Sequence, residues 1–262
     1  MKIAVIGLGS IGRRHAENFR ALGCDVRTWD IVGGGTHPTL DKAIYNSDGV
    51  VIATPPDAHM ISLPPAPAWR MIEKPLAHES PPLFPAPPGN ILVAYPWRHW
   101  PPLQYVKRLV DEGRIGRLLS VSTTYGAHLD KHYPTHGPDR KDSYMRDLSR
   151  GGGCLLDCSH AIDYLRWICG EITEVSGVVE RRLIDMAADD SADLMVRFSS
   201  GAVGTLRLGL YFPDVKGELE IIGTEGAISW SRTANLVRVN GEPHEYAEDI
   251  GQMYVREARH FL

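Results

Sequence analysis

A lysine directly after an apolar run is the first residue of this chain whose position suggests chemistry. In MIEKPLAH, residues 71–78, the apolar pair Met71 and Ile72 looks like the end of a buried strand, and Pro75 prevents a helix from running back through Lys74. An ammonium at a strand exit can bind a substrate oxygen and stabilise negative charge that develops there. The alternative is a plain surface cation paired with Glu73.

A histidine and two aspartates form a second candidate group, near the start of a predicted helix. In the segment GGGCLLDCSHAIDYLRWICG, residues 151–170, His160 and Asp163 lie near the helix start and Asp157 lies just before it. The predicted buried stripe of this helix consists of Ile162, Leu165 and Ile168. Imidazole titrates near neutral pH and can therefore act as a general acid or base. Asp157 could instead cap the helix, and Ser159 could share that role.

The cysteines raise the question of a metal. Cys154, Cys158 and His160 lie close together in sequence, but a fourth ligand at a usual spacing is missing. We therefore predict packing cysteines and no metal site. Four cysteines are also too few for a disulfide framework and fit a reducing compartment. The amino-terminal MKIAVIGLGSIG turns to glycine too early for a signal peptide, so the sequence predicts a cytoplasmic location.

The first thirty residues carry the clearest local signal. KIAVIG has the apolar composition of a strand, GLGSIG follows as a glycine turn, and RRHAENFRAL continues as a helix with apolar positions at Ile11, Phe19 and Leu22. In such a turn the first glycine permits the bend, the second admits a pyrophosphate, and the third lets helix and strand pack closely. The predicted phosphate contacts are Gly7, Gly9, Ser10, Ile11 and Gly12, at the helix N-terminus. The alternative is a turn that only links strand to helix.

An acidic residue ends the second predicted strand. VRTWD places Asp30 about 20 residues after the glycine turn, where a carboxylate accepts the ribose hydroxyls of NAD. The same charge repels the 2′-phosphate of NADP, so NAD is favoured. Neighbouring Arg27 weakens that preference.

The next strands place more candidates at the same sheet edge. The third strand, GVVIA, ends in TPPDAH, WRMIEKP reads as the fourth strand, and NILVAYP reads as the fifth. Ligands of open parallel sheets bind at the carboxyl ends of the strands. Further cofactor contacts are accordingly predicted at Thr54, Pro55, His59, Glu73 and Lys74.

The second part of the chain has a different pattern. PLQYVKRLVDEGRIG has apolar positions at Leu103, Val106, Leu109 and Val110, which predicts an amphipathic helix. Alternating segments separated by SSG and TEG turns then predict an antiparallel sheet. In the first part, SLPPAPAW and ESPPLFPAPPGN predict irregular loops, because prolines at this density cannot occupy helix interiors.

The ordered set GLGSIGRRHA, ATPPDAH, EKP, AYPWRHWPP and GGGCLLDCSHAIDYLRWICG resembles the Gfo/Idh/MocA family of NAD(P)-dependent oxidoreductases, which act on sugars, inositols and related polyols. The resemblance extends from residue 1 to about 260. It implies an α/β Rossmann domain with a doubly wound parallel sheet, residues 1–98. An α+β domain with an open, mostly antiparallel sheet, residues 99–262, is expected to bind substrate and form oligomers.

The resemblance also implies roles for individual residues. Lys74, His160 and Asp157 match the catalytic lysine, histidine and aspartate of the family. In typical members the histidine follows the aspartate by four residues, whereas here the separation is three, and on a helix this shift rotates the side chain by about 100°. The predicted substrate contacts are Lys74, Arg98, Arg140, Tyr144, Asp157 and His160. Arg140 and Tyr144 belong to a long polar loop, residues 128–147, whose alternative interpretation is a solvated loop.

The resulting functional hypothesis is an NAD-dependent dehydrogenase that acts on a hydroxyl of a sugar or cyclitol. A glycosidase that uses bound NAD for transient oxidation, and a non-catalytic sugar or dinucleotide sensor, are the alternatives.

The chain has 28 basic and 32 acidic residues, a net charge of −4 and no basic block, so nucleic acid is not an expected partner. No apolar run reaches the ~18 residues of a membrane span. The broad second sheet predicts a homodimer or homotetramer.

Overall fold

The computed structural model describes residues 1–59, 69–78, 90–133, 139 and 141–262. Arg140 and most of the two proline-rich segments, residues 62–68 and 79–89, lie outside this part of the chain. The described residues form two compact units. The first unit comprises Met1–Pro96, Ser149–Gly151 and Gly251–Leu262, and the second comprises Trp97–Leu148 and Gly152–Ile250. The boundary thus falls at 96/97 rather than 98/99, and the last twelve residues belong to the first unit.

The first unit contains a five-stranded parallel sheet, as predicted. Its strands are β1 (Lys2–Ile6), β2 (Asp25–Trp29), β3 (Gly49–Ile52), β4 (Trp69–Glu73) and β5 (Ile91–Ala94), in the order β2-β1-β3-β4-β5. Residues 3–6 of β1 and all of β3 are apolar or glycine, because both faces of these strands are buried. Ile3 and Val5 pack in one core cluster and Ala4 and Ile6 in another, which confirms the doubly wound Rossmann architecture.

The described α-helices are α1 (Ser10–Ala21), α2 (Leu40–Ile44), α3 (Pro101–Asp111), α4 (Leu129–His132), α5 (Cys154–Asp157), α6 (Ser159–Cys169) and α7 (Gln252–Phe261). Helix α7 packs on α1 in the first unit, which explains why the end of the chain belongs there. The buried residues of α1 are Gly12, His15, Ala16 and Phe19. Of the predicted stripe only Phe19 is buried, whereas Ile11 and Leu22 are partly exposed, because the helix presents the face of His15 to the sheet.

The second unit contains an eight-stranded, mostly antiparallel sheet, which confirms the predicted class. Its strands are β6 (Leu118–Gly126), β7 (Ile172–Glu180), β8 (Ser191–Phe198), β9 (Val203–Gly209), β10 (Lys216–Gly223), β11 (Ala227–Ser231), β12 (Leu236–Val239) and β13 (Glu242–Glu245). The order is β13-β12-β11-β10-β6-β9-β8-β7, and the β6–β9 pair is parallel. Strands β12 and β13 were not predicted, although Asn240 and Gly241, both at positive φ, form a typical two-residue hairpin turn.

Helices cover one face of this second sheet. Helix α3 packs on α6 and on β11, and α6 packs on β6. Leu103, Val106 and Leu109 are buried as predicted, and Pro101 occupies a first-turn position where its missing N–H costs nothing. In α6 the predicted stripe is only partly correct. Leu165 and Ile168 are buried, but Ile162 is partly exposed, and Asp163, expected near the open start of the helix, is buried.

Candidate cofactor and catalytic sites

The predicted cofactor residues of the first unit lie at one edge of its sheet. Because all five strands are parallel, the residues that follow them meet at the carboxyl edge. The glycine turn follows β1, Asp30 follows β2, Thr54 and Pro55 follow β3 at a distance of two and three residues, and Glu73 ends β4. The strand order reverses at β1 and β3, which is where doubly wound sheets bind ligands.

The three glycines of the turn are needed for different structural reasons. Gly7 has a φ of 90°, and a Cβ there would lie 2.7 Å from the carbonyl oxygen of Ala53. A Cβ on Gly12 would collide with the Gly7 carbonyl. Gly9, in contrast, has an ordinary φ of −64°, and a Cβ there would have no described atom within 4 Å. The open space at Gly9 fits a pyrophosphate that approaches the backbone closely.

Helix α1 begins directly beside this open space. Its N-cap is Gly9, which has no side chain to bond the first N–H groups, and Ser10 and Ile11 are the first helical residues. Ser10 is exposed and Ile11 partly exposed. The first-turn N–H groups and the positive end of the helix dipole favour an anion at this position.

Asp30 lies next to the glycine turn. Its Oδ2 accepts a hydrogen bond from the Leu8 N–H at 2.6 Å, and its Oδ1 accepts from the Val32 N–H at 2.8 Å. The carboxylate is therefore fixed at the end of β2. Arg27 donates from Nη1 to the carbonyl oxygen of Tyr45 at 2.6 Å, so its guanidinium is engaged beside α2. A carboxylate at this position would repel a 2′-phosphate.

The segment after β3 contains an unsatisfied hydroxyl and a buried histidine. Thr54 Oγ1 is buried and has no hydrogen-bond partner among the described residues, an arrangement that a ligand would complete. The His59 ring is fully buried, and its Nε2 lies 2.9 Å from the Thr54 carbonyl oxygen. Burial lowers the pKa of His59, so the neutral ring donates to that carbonyl. Pro55 is partly exposed, whereas His59 supports the loop from inside instead of facing an open cofactor surface.

Glu73 is bonded to protein groups on both carboxylate oxygens. His15 Nε2 lies 2.8 Å from Oε1, and the Lys74 N–H donates to Oε2 at 3.2 Å. Glu73 is 8% exposed, Lys74 is partly exposed, and the Lys74–Pro75 peptide bond is cis. Glu73 was predicted to contact the cofactor, and its pairing with His15 was not predicted. The signal for His15 was its place on the same helical face as Gly12 and Phe19, since a buried imidazole requires a partner.

A tyrosine of α7 approaches the same end of β4. The Arg14 guanidinium lies over the Tyr254 ring, 4.6 Å from its centroid. Burial raises the pKa of the Tyr254 hydroxyl, and the charge of Glu73 adds to that rise, whereas Arg14 opposes it. Tyr254 was not among the predicted site residues, because its position depends on how α7 packs.

In the second unit, Asp157 and His160 lie on two successive short helices. Asp157 is the last residue of α5, and α6 begins at Ser159 with Cys158 as N-cap, whose side chain makes no capping hydrogen bond. Asp157 thus lies one residue before the N-cap position. The His160 ring lies 6.1 Å from the Tyr125 ring, and both Asp157 and His160 are partly exposed.

An aromatic cluster supports His160. Trp97 Nε1 donates to the Tyr125 hydroxyl at 3.0 Å, and the two rings pack edge to face. Tyr164 packs against Tyr125 and hydrogen-bonds Thr123 at 2.6 Å. Burial raises the pKa of Tyr133, and the nearby Asp157 charge contributes, so this loop tyrosine lies close to the candidate catalytic aspartate.

Arg98 was predicted to contact substrate, but its guanidinium binds a carboxylate of α6. Nε donates to Asp163 Oδ2 at 2.8 Å and Nη2 donates to Oδ1 at 2.6 Å. The Asp163 side chain is 7% exposed and that of Arg98 43% exposed. This pair fixes the helix one turn beyond His160. Tyr144 begins a short 3₁₀ turn and is partly exposed.

The cysteines pack without a described metal cluster. Cys154 Sγ and Cys158 Sγ are 4.0 Å apart and both are buried. Within the described ranges no group of three or more histidine, cysteine, aspartate or glutamate residues is placed to hold a metal ion. Among the same residues no helix is both long enough and apolar enough to span a membrane.

A family model of known proteins matches most of the second unit. Residues 103–229 match the family model described as the GFO/IDH/MocA C-terminal domain. Levoglucosan dehydrogenase of Pseudarthrobacter phenanthrenivorans is 32% identical over 214 residues, which is 68% of this chain and 54% of that enzyme. Inositol 2-dehydrogenase of Rhizobium meliloti is 26% identical over 270 residues, 87% of this chain and 75% of that enzyme.

A solved structure supports the fold of the whole chain. The complex of levoglucosan dehydrogenase with NADH and levoglucosan superposes with a TM-score of 0.83. The match covers 100% of this chain and 88% of that one, at 23% identity. The two share a fold.

Proposed function

This chain belongs to the Gfo/Idh/MocA family, and we propose on that basis that it is an NAD-dependent dehydrogenase. The reaction is hydride transfer between nicotinamide and a carbon that carries the hydroxyl or keto group of a sugar, sugar derivative or cyclitol. The observation that carries the proposal is the carboxyl edge of the first sheet, where the open space at Gly9, the Asp30 carboxylate and Lys74 follow parallel strands. Relatives named as dehydrogenases of levoglucosan and inositol support the substrate class.

The cofactor site uses groups that the protein leaves available. The backbone at Gly9 and the N–H groups of Ser10, Ile11 and Gly12 would bind the pyrophosphate, and Asp30 would accept the ribose hydroxyls. The Thr54 hydroxyl offers a further hydrogen bond. The bound nicotinamide supplies the hydride chemistry, and the protein supplies binding and orientation. The Asp30 charge favours NAD over NADP.

The proton half of the reaction is assigned to Lys74 and His160. An alcohol releases hydride readily only if its hydroxyl proton also leaves, so a base is required within hydrogen-bond reach of that oxygen. Imidazole side chains ordinarily titrate near neutral pH, so His160 would act as that base, with Asp157 orienting it or the substrate hydroxyl. The Lys74 ammonium, at the carboxyl edge of the first sheet, would stabilise negative charge that develops on a substrate oxygen. Tyr144 and Arg140 remain candidate substrate contacts.

A substrate panel tests the proposed function. Purified protein is mixed with NAD or NADP and with single sugars, anhydrosugars, cyclitols and sugar nucleotides, and NADH absorbance is followed. Turnover of at least one sugar or cyclitol with NAD supports the proposal. Retained NAD and substrate conversion without net NADH would instead indicate the transient-oxidation glycosidase. Sugar binding without conversion of any substrate would indicate a sensor, and both outcomes contradict the dehydrogenase.

We further infer that the protein is a homodimer or homotetramer that associates through the face of the second sheet opposite its helices. Register places Val178, Met195, Val203 and Ile222 on this face, and each of them is at least 37% exposed. Val178, Met195 and Val203 lie on the adjoining strands β7, β8 and β9, and exposed apolar side chains grouped on one face can mark a protein–protein contact. A broad, self-complementary sheet face suits an interface with two-fold symmetry.

Light scattering at micromolar concentration tests this inference. We expect an oligomeric mass for the wild type and a smaller mass for Met195→Lys, because a lysine buried at the centre of the contact would lack a partner. Tyr45→Lys is the matched control, since Tyr45 is 70% exposed in the first unit. A monomeric wild type, or a Met195→Lys variant with unchanged mass, contradicts the assignment.

A further inference from the structure

His15 is a buried titratable residue for which the proposed reaction has no direct use. It lies on the sheet-facing side of α1 and is fully buried. Imidazoles at such positions are normally hydrogen-bonded, because a buried polar group without a partner is costly. The partner of His15 is Glu73, at the end of β4 and 58 residues further along the chain.

Glu73 links His15 to Lys74 through two hydrogen bonds. One carboxylate oxygen lies 2.8 Å from His15 Nε2, and the other accepts the backbone N–H of Lys74 at 3.2 Å. His15 Nδ1 is buried and has no hydrogen-bond partner among the described residues. The pairing therefore assigns the Nε2–H tautomer to His15, which makes one directed hydrogen bond, to the carboxylate.

We propose that His15 is a positioning residue for Lys74, which it holds in place through the Glu73 carboxylate. The proposal rests on the dehydrogenase function proposed above. Helix α1 begins at the candidate pyrophosphate turn, and His15 lies little more than one helical turn beyond Ser10. One rigid element thus carries both the phosphate-binding N–H groups and the residue that fixes the backbone of Lys74.

The functional consequence concerns kcat. If the hydrogen bond between His15 and Glu73 is lost, the Lys74 backbone should shift while the glycine turn stays intact. A misplacement of about 1 Å at a catalytic group can cost roughly 10²-fold in rate. Cofactor affinity should change little, because His15 itself does not face the open space at Gly9. A histidine that only filled the core would instead affect folding stability and leave the turnover of the folded enzyme unchanged.

Two variants of similar volume separate these roles. His15→Gln keeps an N–H donor that can reach Glu73, whereas His15→Leu keeps volume without a donor. On the best substrate, His15→Leu should lose about 10²-fold in kcat with an unchanged Kd for NADH, and His15→Gln should recover most of that loss. Equal kcat for wild type and folded His15→Leu, or no difference between the two variants, would overturn the proposal.

Hydrogen exchange of the free protein supplies a readout that does not depend on turnover. In His15→Leu, amides in peptides that cover residues 69–78 should exchange faster than in the wild type, because the hydrogen bond from His15 that holds Glu73 against the Lys74 N–H is lost. Peptides that cover β2 serve as the internal reference. Glu73→Gln is the second variant, since its amide can still accept from His15 but lacks the second carboxylate oxygen for the Lys74 N–H.

The two readouts also separate this inference from the proposed function. Unchanged exchange over residues 69–78 in both His15→Leu and Glu73→Gln would contradict the proposal that His15 positions Lys74, even if the protein is an active dehydrogenase. A wild type that reduces no NAD with any substrate would instead contradict the proposed function, while exchange would still report whether His15 fixes Lys74.

Discussion

Phe19 and Phe261 pack edge to face in the first unit, with ring centroids 5.8 Å apart and an angle of 71° between the ring planes. The pair joins α1 to α7. The Phe261 ring also lies against Gly49, where a Cβ would be only 2.8 Å from Cε1 of that ring. Gly49 therefore admits the ring that attaches the last helix to the sheet.

This arrangement predicts coupling between two substitutions. Gly49→Ala should destabilise the protein by about 1–3 kcal/mol, because the new methyl group overpacks the ring. Phe261→Ala should cost about 3 kcal/mol through the cavity that it leaves. In the double variant the methyl group enters that cavity, so the total loss should be smaller than the sum by at least about 0.5 kcal/mol. Urea denaturation of the four proteins measures the coupling, and strict additivity would contradict it.

The helix at the end of the chain also shows what the sequence could predict. Its pattern indicates a helix, but its attachment to α1 depends on contacts across more than 200 residues, which no local pattern encodes. The parallel strands and the glycine turn were predictable, because continuous apolar runs and required glycines are local consequences of burial and backbone conformation.

Polar pairings were the least predictable part of the candidate sites. His15 pairs with Glu73 and Arg98 with Asp163, in both cases across more than 50 residues. Each side chain was visible as a polar residue, but its partner is fixed only when distant elements meet. Arg98 was therefore assigned to substrate. The β12–β13 hairpin was different, since its Asn-Gly turn was a local signal that sequence analysis did not use.

The Arg98–Asp163 pair predicts an asymmetric loss of stability. Arg98→Met leaves the buried Asp163 carboxylate without its two donors and should cost about 2 kcal/mol. Asp163→Asn leaves a guanidinium that is 43% exposed and can be solvated, so about 1 kcal/mol is expected. Urea denaturation provides both values. If Arg98 served only the substrate, its replacement would raise KM and leave stability unchanged.

His59 predicts a pH dependence of folding. Burial lowers its pKa below the ordinary value of 6.5, against opposing effects of the Thr54 carbonyl and the Glu73 charge. Below pH 6.5 the unfolded chain therefore takes up a proton before the folded protein does. The contribution of this group to stability is complete above pH 6.5 and falls as pH drops towards the lowered pKa, by at most about 1.4 kcal/mol per pH unit.

His59→Gln tests this linkage. The amide can still donate to the Thr54 carbonyl but does not titrate, so the pH profile of the unfolding free energy should flatten below pH 6.5 relative to the wild type. His244→Gln, at an exposed position in the second unit, is the matched control for replacing a histidine by glutamine. Identical slopes for the wild type and His59→Gln would show that burial does not perturb this ring.

Asp30 predicts the choice of cofactor. Asp30→Asn removes the charge but keeps an oxygen for the Leu8 N–H, whereas Asp30→Ser removes both. In both variants kcat/KM with NAD should exceed kcat/KM with NADP by a smaller factor than in the wild type, because repulsion of the 2′-phosphate is lost. Asp30→Asn should retain more activity with NADP than Asp30→Ser, because the asparagine oxygen can still accept the Leu8 N–H and hold the glycine turn in place. A wild type that already prefers NADP would contradict this account.

Lys74 and His160 should each carry a large share of the chemical step. Lys74→Ala and His160→Ala should lower kcat by about 10² to 10⁴, the usual size of general acid–base effects. NADH binding should stay close to that of the wild type, because the dinucleotide contacts assigned to Gly9 and Asp30 are retained. Steady-state kinetics on the best substrate and NADH fluorescence titration measure the two quantities.

Two exposed residues provide matched controls for these substitutions. Lys42→Ala removes an ammonium from the first unit and His244→Ala removes an imidazole from the second, so both should leave kcat unchanged. Near-normal turnover in Lys74→Ala or His160→Ala would remove that residue from the proton pathway. A joint loss of turnover and NADH binding in Lys74→Ala would instead place Lys74 among the cofactor contacts, because an interaction made only in the transition state lowers kcat without weakening cofactor binding.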